Sequence, residues 1–525
     1  MRIFFSHFTA VLLSLALLLT PSLAAAESMT SLTCAIVATN DVQLTPLDIN
    51  QRDVVSVLDL VYEGLFSLDD NYQPQPELAY SYEFTNEGRM LKVVLRENVT
   101  FHNGQTLTAD DVVATLDAMF ELAGFDDDLN SDVDLADRGL YYSTFYSIRS
   151  WEAQDDRTLV FRLRRACYGS LYALTFPILP ASEVYNVMPS GTGPYKYDGY
   201  EAGSAIWLTA NTNWWQRTPQ IRNIRASIYA DAEKALTAFD LQNVDVVMTR
   251  SINASRYSGS LSAFSLTART RQLEVLLVNR AYKLFKDEND GELVRRAISY
   301  AIDRSSLISS TYQSMATVAY TPIPAGTWLS NESTIRDIYD PLMAASLLDS
   351  AGWKMADDGK RYKNGEELEG LRLWVYDEPG STMRTNAANK IEEQLEAVGI
   401  PVNVTTVSRD SVISALKNLN YSIALVPFNF DVCPDPGFTL ASTGSCNYTR
   451  YRSDDMNNLI TQLRSSVSAS DYQNTMLLIQ DQFEQDIPYL PLYWRAGALL
   501  SRSAFTDARD IRELELLRGV ESWSH

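Results

Sequence analysis

Histidine is the residue that this sequence most nearly lacks. The 525-residue chain contains three, at His7, His102 and His525. His7 falls in a leader segment and His525 is the last residue, so only His102 lies well inside a fold. Ser-His-Asp triads, Cys-His dyads and His-rich zinc or iron sites all need a positioned imidazole. Their exclusion leaves carboxylate chemistry, such as a glycosidase pair, or no chemistry at all.

The surroundings of His102 predict a structural role. The segment "VTFHNGQTL" places it beside Asn103-Gly104, a strong signal for a tight hairpin. We interpret His102 as a turn-flanking residue that hydrogen-bonds backbone groups.

Cysteine is also scarce. Cys34, Cys167, Cys433 and Cys446 are the only four, and none forms a CxxC pair. Cys433 and Cys446 are close in sequence and flank a loop rich in Pro and Gly, so they form the best candidate disulfide. The alternatives are separate thiols or a Cys34–Cys167 bridge, because connectivity cannot be deduced from sequence.

Basic residues are too few to balance the acidic ones. There are 44 Lys and Arg against 66 Asp and Glu, and the net charge is −22. A chain this acidic repels nucleic acid and anionic lipid, so we expect no nucleic-acid partner.

Long apolar runs are absent after the first twenty residues. Residues 1–26 read as a secretory signal peptide, with Arg2, the apolar run Ala10–Thr20 and the small residues Ala24–Ala26. The alternative is an uncleaved single anchor. The segment "SLTC" lacks the small residue that precedes a lipid-modified cysteine. The chain is therefore expected to be exported, to a periplasm or to the outer side of a single membrane.

One segment resembles the start of a calcium loop. Asp128, Asn130 and Asp132 alternate as the first ligands of such a loop do. Val133 stands where glycine is needed, however, and Gly139 stands where the final glutamate is needed. We interpret the segment as a solvated acidic loop, and we expect neither a metal nor a cofactor.

Apolar periodicity predicts an α/β protein. Alternating strands such as "MLKVVLRENVTF" are followed by amphipathic helices such as "TADDVVATLDAMFELA", with Thr108 as N-cap, and "GELVRRAISYAIDRSSLISS", residues 291–310. Two stretches alternate in this way, which predicts two open mixed sheets with helices on their faces. The chain crosses between them near residues 265–275. This organisation is typical of two lobes joined by short hinge strands, with a ligand cleft between the lobes.

Several motifs, in order along the chain, resemble one family. They are "VYEGLF", "QPELAYSYEF", "LRENVTFHNGQTLTADDV", "GTGPYKY", "LTANTNWW", "VRRAISYAIDR", "LLDSAGW", "QLEAVGI", "PDPGFTL" and "IPYLPLYW". On these the chain is identified as similar to the family 5 extracellular solute-binding proteins of bacterial ABC importers, the oligopeptide- and dipeptide-binding group.

The resemblance implies the large, type II periplasmic-binding-protein fold with an inserted subdomain. Lobe I would comprise residues 27–62, 189–266 and 491–525. The inserted subdomain would comprise 63–188, and lobe II 267–490. The segment "GTGPYKY" would be where the chain returns to lobe I. We interpret it as scaffold, with Gly191 and Gly193 adopting backbone conformations closed to other residues. The Trp214-Trp215 pair is likewise interpreted as core.

The resemblance also implies where a ligand binds. In peptide-binding members an acidic residue before the "DP" turn holds the ligand's ammonium group. The family position falls on Val432, four residues before Pro436, so Asp431 is the candidate by a shift of one residue. Other candidates lie at carboxyl ends of lobe II strands, where clefts form in α/β sheets, or at the hinge; they are Phe428, Phe430, Tyr376, Asp377, Glu378 and Asn279. The acidic pair Asp377-Glu378 would suit a cationic or neutral ligand.

Three hypotheses for function follow. The first is the substrate-binding component of an ABC importer, a monomer that captures peptides and delivers them to membrane permease subunits. The second keeps the fold but changes the cargo to an oligosaccharide, an opine or another polar solute. The third is a secreted carboxylate-based hydrolase, which the lack of a catalytic motif disfavours.

Overall fold

The computed structural model describes residues 30–49, 51–123, 141, 144–257, 259–260, 263–313, 315–334, 339–378, 381–505, 507–508 and 511–524. The leader and the calcium-like segment lie outside these residues. None of the helices in the described ranges is both long and apolar enough to cross a membrane.

The largest sheet holds eleven strands. Its order is β18 (Val402–Thr406), β17 (Leu371–Val375), β19 (Ile423–Asn429), β12 (Phe264–Val278), β20 (Leu490–Ser501), β11 (Val246–Thr249), β1 (Ser31–Val37), β10 (Asn223–Tyr229), β9 (Ala205–Ala210) and β8 (Tyr195–Glu201), with β13 (Ala316–Val318) beside β20. The two expected sheets are therefore continuous. They are joined where β12, 15 residues long, pairs with β20, 12 residues long.

A separate four-stranded sheet lies within the predicted inserted subdomain. Its order is β4 (Ala79–Thr85), β5 (Met90–Leu95), β7 (Thr158–Leu163) and β6 (Ile148–Asp155). The remaining strands are short: β2 (Phe66–Leu68), β3 (Pro74–Pro76), β14 (Lys354–Met355), β15 (Arg361–Lys363) and β16 (Glu366–Glu367).

The helices follow the predicted pattern. They are α1 (Arg52–Leu58), α2 (Ala109–Leu122), α3 (Thr144–Ser147), α4 (Ala232–Asp240), α5 (Asp290–Ala301), α6 (Arg304–Thr311), α7 (Pro341–Ser350), α8 (Met383–Glu396), α9 (Arg409–Lys417), α10 (Gly437–Leu440), α11 (Asp454–Leu463) and α12 (Ala469–Asp486). Helix α2 begins as predicted after Thr108, which forms a capping box with Asp111. The single helix expected over residues 291–310 is instead two, because Asp303 caps a new start at α6.

The core is divided by β12. Leu273, Val275 and Leu277 belong to one buried cluster, whereas Leu276 and Val278 belong to another that includes α5, α7 and α8. Successive side chains of a strand point to opposite faces, so β12 is buried on both sides. The strand that connects the two halves of the sheet is thus held by both cores.

The "GTGPYKY" segment is scaffold for a reason that differs from the expected one. Neither Gly191 nor Gly193 adopts a positive φ. A β-carbon on Gly191 would instead lie 1.9 Å from the Val61 carbonyl oxygen. His102 fixes the same segment, since its Nδ1 accepts from Gly191 N at 3.2 Å and its Nε2 lies 3.0 Å from Gly193 O. Close backbone approach, and not special dihedral angles, selects glycine here.

The predicted Cys433–Cys446 disulfide is not formed. Each of the two sulfur atoms contacts a different group of residues. All four cysteines are free thiols. The Cys433 sulfur lies 3.9 Å from the Tyr472 hydroxyl, and both it and the Cys167 sulfur lie within 3.3 Å of the position that a β-carbon on Gly169 would occupy. Cys446 lies instead beside the Tyr448 hydroxyl.

Replacing Gly191 by alanine tests the scaffold interpretation. The new methyl group collides with backbone atoms that have little freedom to move, so Gly191→Ala should lower the free energy of unfolding by at least about 2 kcal/mol. Urea unfolding followed by circular dichroism measures this. Gly199→Ala is the matched control, since a β-carbon there meets only the Trp207 ring at 3.5 Å. Equal stabilities for the two variants would contradict the close-approach argument.

Candidate functional site

A cavity of about 650 Å³ lies where β12 meets β20. Its walls come from the predicted lobe I, through residues 58–62 and 507–522, from the predicted inserted subdomain, through residues 63–72, and from the predicted lobe II, through residues 317–329 and 430–434. The volume is in the range of small-molecule sites, which typically span ~300–1,000 Å³. The position agrees with the cleft expected from the sequence.

An irregularity in strand pairing forms the floor of this cavity. Regular register between β12 and β20 is broken between Arg269 and Leu273. The Thr270 hydroxyl donates to the Arg495 carbonyl oxygen at 2.5 Å across the break, and Phe430 N donates to the Arg271 carbonyl oxygen at 2.9 Å. A bulge of this kind redirects side chains. Thr270, Arg271, Trp494 and Arg495 all line the cavity as a result.

Two of the predicted ligand-binding residues line the cavity. Phe430 packs its ring 5.4 Å from that of Trp494, centroid to centroid. Asp431 is half-exposed, with its side chain 43% accessible, and its closest ion-pair partner among the described residues is Arg271, at 3.9 Å. Its Oδ1 also accepts from Val432 N at 2.6 Å. Asp431 therefore keeps hydrogen-bonding capacity for a ligand.

The predicted acidic pair, Asp377 and Glu378, is not among the residues that line the cavity, and both side chains bind other parts of the protein. Asp377 accepts from Thr385 N and from the Thr385 hydroxyl, at 3.0 and 2.8 Å, and so binds the first turn of α8. Glu378 binds Arg495 at 2.6 Å and Arg384 at 3.1 Å. Partial burial raises the pKa of Glu378, but these two guanidinium groups outweigh burial and the pKa is lowered.

The other three candidates are also occupied by structural contacts. Asn279 is buried and donates to the carbonyl oxygens of Leu419 and Tyr421, at 3.0 and 2.7 Å. Phe428 packs against Tyr489 at a centroid distance of 5.3 Å. Tyr376 lies beneath the Arg384 guanidinium at 4.7 Å. None of these three is among the residues that line the cavity.

Six arginines line the cavity, and sequence reasoning missed all of them. They are Arg217, Arg269, Arg271, Arg495, Arg512 and Arg518. For Arg269 and Arg271 the sequence did contain a signal. The segment "TARTRQ" places these two arginines and two threonines ahead of the apolar part of a strand. A run of buried-strand residues interrupted in this way indicates a bulge or a polar wall.

Glu63 is a buried carboxyl group in the cavity wall, at the start of the predicted inserted subdomain. Its side chain accepts from the indole nitrogens of Trp214 and Trp215, each at 3.0 Å, so the tryptophan pair is scaffold as expected. Burial raises the pKa of Glu63 to about 7, although these hydrogen bonds oppose the rise. Burial and the charge of Glu63 also raise the pKa of Glu77.

The residues described contain no group of three or more His, Cys, Asp or Glu side chains that could hold a metal ion.

Comparison with known proteins identifies relatives over most of the chain. A family model described as "Bacterial extracellular solute-binding proteins, family 5 Middle" matches residues 73–450. The oligopeptide-binding protein AppA of Bacillus subtilis is 26% identical over 466 residues, which is 83% of this chain and 81% of that protein. The nickel-binding protein NikA of Staphylococcus aureus is 23% identical and covers 81% of each chain.

Solved structures share the fold. The structure of B. subtilis AppA in complex with a nonapeptide superposes with a TM-score of 0.63 at 22% identity, and covers 95% of this chain and 99% of that one. The two-lobed architecture expected from the sequence is therefore confirmed.

The raised pKa of Glu63 can be tested by replacing its carboxyl group and measuring how the stability of the protein changes with pH. Because the folded chain holds Glu63 protonated, its contribution to stability is present below pH ~4.5 and is lost as the pH rises toward 7. Glu63→Gln should therefore lose less stability than wild type between these pH values in urea unfolding. The exposed Glu83→Gln should follow the wild-type profile. A Glu63→Gln profile parallel to wild type would contradict the assignment.

Proposed function

The chain belongs to the family 5 bacterial extracellular solute-binding proteins, and from this premise we propose that it captures peptides in the cavity between its lobes and delivers them to the permease of an ABC importer. The observation that carries the proposal is the cavity itself. Its volume of about 650 Å³ suits a small solute, and its walls combine aromatic rings with charges of both signs.

The proposal includes the division into lobes. Lobe I comprises residues 27–62, 189–266 and 491–525, with residues 63–188 inserted, and lobe II comprises residues 267–490. Strands β12 and β20 cross between the lobes and act as the hinge. A ligand that contacts both lobes stabilises the arrangement in which both walls are in reach, and it shifts the population toward that arrangement.

Asp431 is the proposed partner of the peptide's terminal ammonium group. A charge removed from water needs a charged or hydrogen-bonding partner. Asp431 is half-exposed at the cavity, and the Arg271 guanidinium lies 3.9 Å from its carboxylate. Phe430 and Trp494 supply an apolar surface next to it. The other five residues predicted from the sequence hold α8 and the strands in place. They are Phe428, Tyr376, Asp377, Glu378 and Asn279.

The chain is proposed to be exported, to work as a monomer and to release its cargo chemically unaltered. The leader composition supports export. The family of solute-binding proteins to which the chain belongs supports binding without turnover.

A non-peptide cargo is the second candidate. It is favoured by the breadth of named ligands among relatives, since one of them is a nickel-binding protein. Thermal-shift screening of dipeptides, tripeptides, oligosaccharides and metal chelates separates the candidates. Stabilisation by peptides alone supports the first, and stabilisation only by another class replaces it.

Asp431→Asn tests the ammonium site. Loss of a charge-assisted hydrogen bond, worth about 1.5–3 kcal/mol, should weaken the binding of peptides with a free N-terminus about 10- to 100-fold. Isothermal titration calorimetry measures this, with N-acetylated peptides as the second ligand set, for which wild type and variant should be equally weak.

Asp377→Asn is the matched control, because Asp377 binds α8 and lies outside the cavity lining. It should keep wild-type affinity. A loss of binding in Asp377→Asn with none in Asp431→Asn would reverse the assignment.

A further inference from the structure

Arg271 differs from Arg495 and Arg518, two other arginines that line the cavity, because no carboxylate lies within hydrogen-bond distance of its guanidinium group among the described residues. Its closest carboxylate among the described residues is Asp431, at 3.9 Å, which is beyond hydrogen-bond distance. By contrast, Arg495 binds Glu378 at 2.6 Å and Arg518 binds Asp70 at 3.0 Å. The Arg271 side chain is also partly open, with 26% of its surface accessible.

The buried carboxylate closest to the Arg271 backbone is already engaged. Glu513 forms ion pairs with Arg52 and with Arg250, the latter at 3.0 Å, and accepts from Arg271 N at 3.2 Å. The positive charges affect one another, since burial and then the charges of Arg250 and Arg271 lower the pKa of Arg52 to about 10. An anion at Arg271 would relieve this excess of positive charge.

Trp494 adds an unmatched donor in the same wall. The residue lines the cavity and is 5% exposed, and its indole N–H has no acceptor among the described residues. Buried donors are normally paired, so the unpaired indole N–H favours a hydrogen-bond acceptor at this wall of the cavity. Trp494 faces the break in β12 register that carries Arg271.

These contacts assign a ligand class. We propose that Arg271 binds the carboxylate, and neighbouring Asp431 the ammonium, of one α-amino acid group, so that the cargo carries both charges on a single carbon. The inference rests on the proposed function and narrows it. A linear α-peptide offers an ammonium and a carboxylate at opposite ends, whereas a peptide linked through a side chain, or a single amino acid, keeps both together.

The planar guanidinium group of Arg271 is suited to binding the α-carboxylate of the ligand. Guanidinium groups bind carboxylates through two parallel hydrogen bonds. The Arg271–Asp431 separation of 3.9 Å leaves both charges available to a zwitterion, whose two charges complement theirs in sign.

Two isomeric dipeptides provide the test. γ-Glu-Ala and α-Glu-Ala have the same atoms and the same net charge, but only the γ-linked isomer keeps its ammonium and α-carboxylate on one carbon. Titration calorimetry with the full-length protein should show γ-Glu-Ala binding at least about tenfold more tightly. Free glutamate distinguishes the two ligand classes. If it binds as tightly as γ-Glu-Ala, the ligand is a single amino acid. If it binds more weakly, the ligand is a peptide linked through a side chain.

Variants connect the preference to the residue. Arg271→Gln should abolish the preference for the γ isomer, and Arg271→Lys should restore part of it, because an ammonium group supplies charge without the planar guanidinium group. Arg256→Gln, on the exposed surface beside Asp240, should keep the full preference. Thermal melting of each variant establishes that it is folded.

Different failures have different meanings. Equal binding of the two isomers by wild type, or an unchanged preference in Arg271→Gln, overturns the inference and leaves peptide binding in place. Failure of every peptide and of glutamate to bind the folded protein overturns both the inference and the proposed function.

Discussion

The pairing of β12 with β20 is the interaction on which the rest of the structure depends. These two strands make the large sheet continuous across both predicted lobes. Their side chains belong to three buried clusters, so the crossing is packed on both faces of the sheet. Its regular register fails only over short segments, one of which lies between Arg269 and Leu273. The cavity opens at this break, and Thr270, Arg271, Trp494 and Arg495 line it from there.

A buried ion pair fixes helix α8, in the predicted lobe II, to strand β12. The Arg384 guanidinium binds both carboxylate oxygens of Glu274, at 3.0 and 2.8 Å, and both side chains are buried. Removal of one partner from such a pair leaves an uncompensated buried charge, at a typical cost of ~3–5 kcal/mol. Glu378 and Arg495 extend the network toward the cavity. The network turns an apparently acidic strand end into a neutral wall.

The sequence predicted the parts of the fold that depend on local chemistry. Helix α2 begins at its Thr108 cap, the Asn103-Gly104 turn forms, with Gly104 at a φ of +88°, and the tryptophan pair is scaffold. These features are set by neighbouring residues, so a local pattern is enough to find them. The scaffold role of Gly191 was also predicted, but its cause was not, because the colliding atom belongs to Val61, distant in sequence.

The candidate site was predicted only in part, for the same reason. Phe430 and Asp431 follow a strand end, which is a local signal, and they line the cavity. Asp377 and Glu378 carry the same signal, yet Asp377 is hydrogen-bonded to Thr385 and Glu378 is paired with Arg384 and Arg495, which only the folded chain brings near. Arg271 and Trp494 lie in strands that read as buried, and the break in register that exposes them to the cavity is a property of the pair of strands. Cys433 likewise meets Cys167 and Tyr472 through tertiary contacts.

We expect a small solute to bind between the two lobes, against the β12–β20 break, and to remain chemically unaltered there. A crystal structure of the protein grown with its tightest-binding solute would show whether it does. The expected result is intact ligand density within the cavity, in contact with residues of both lobes, including Phe430 and Arg271. Density at another surface, contact with one lobe only, or a cleaved ligand would contradict it.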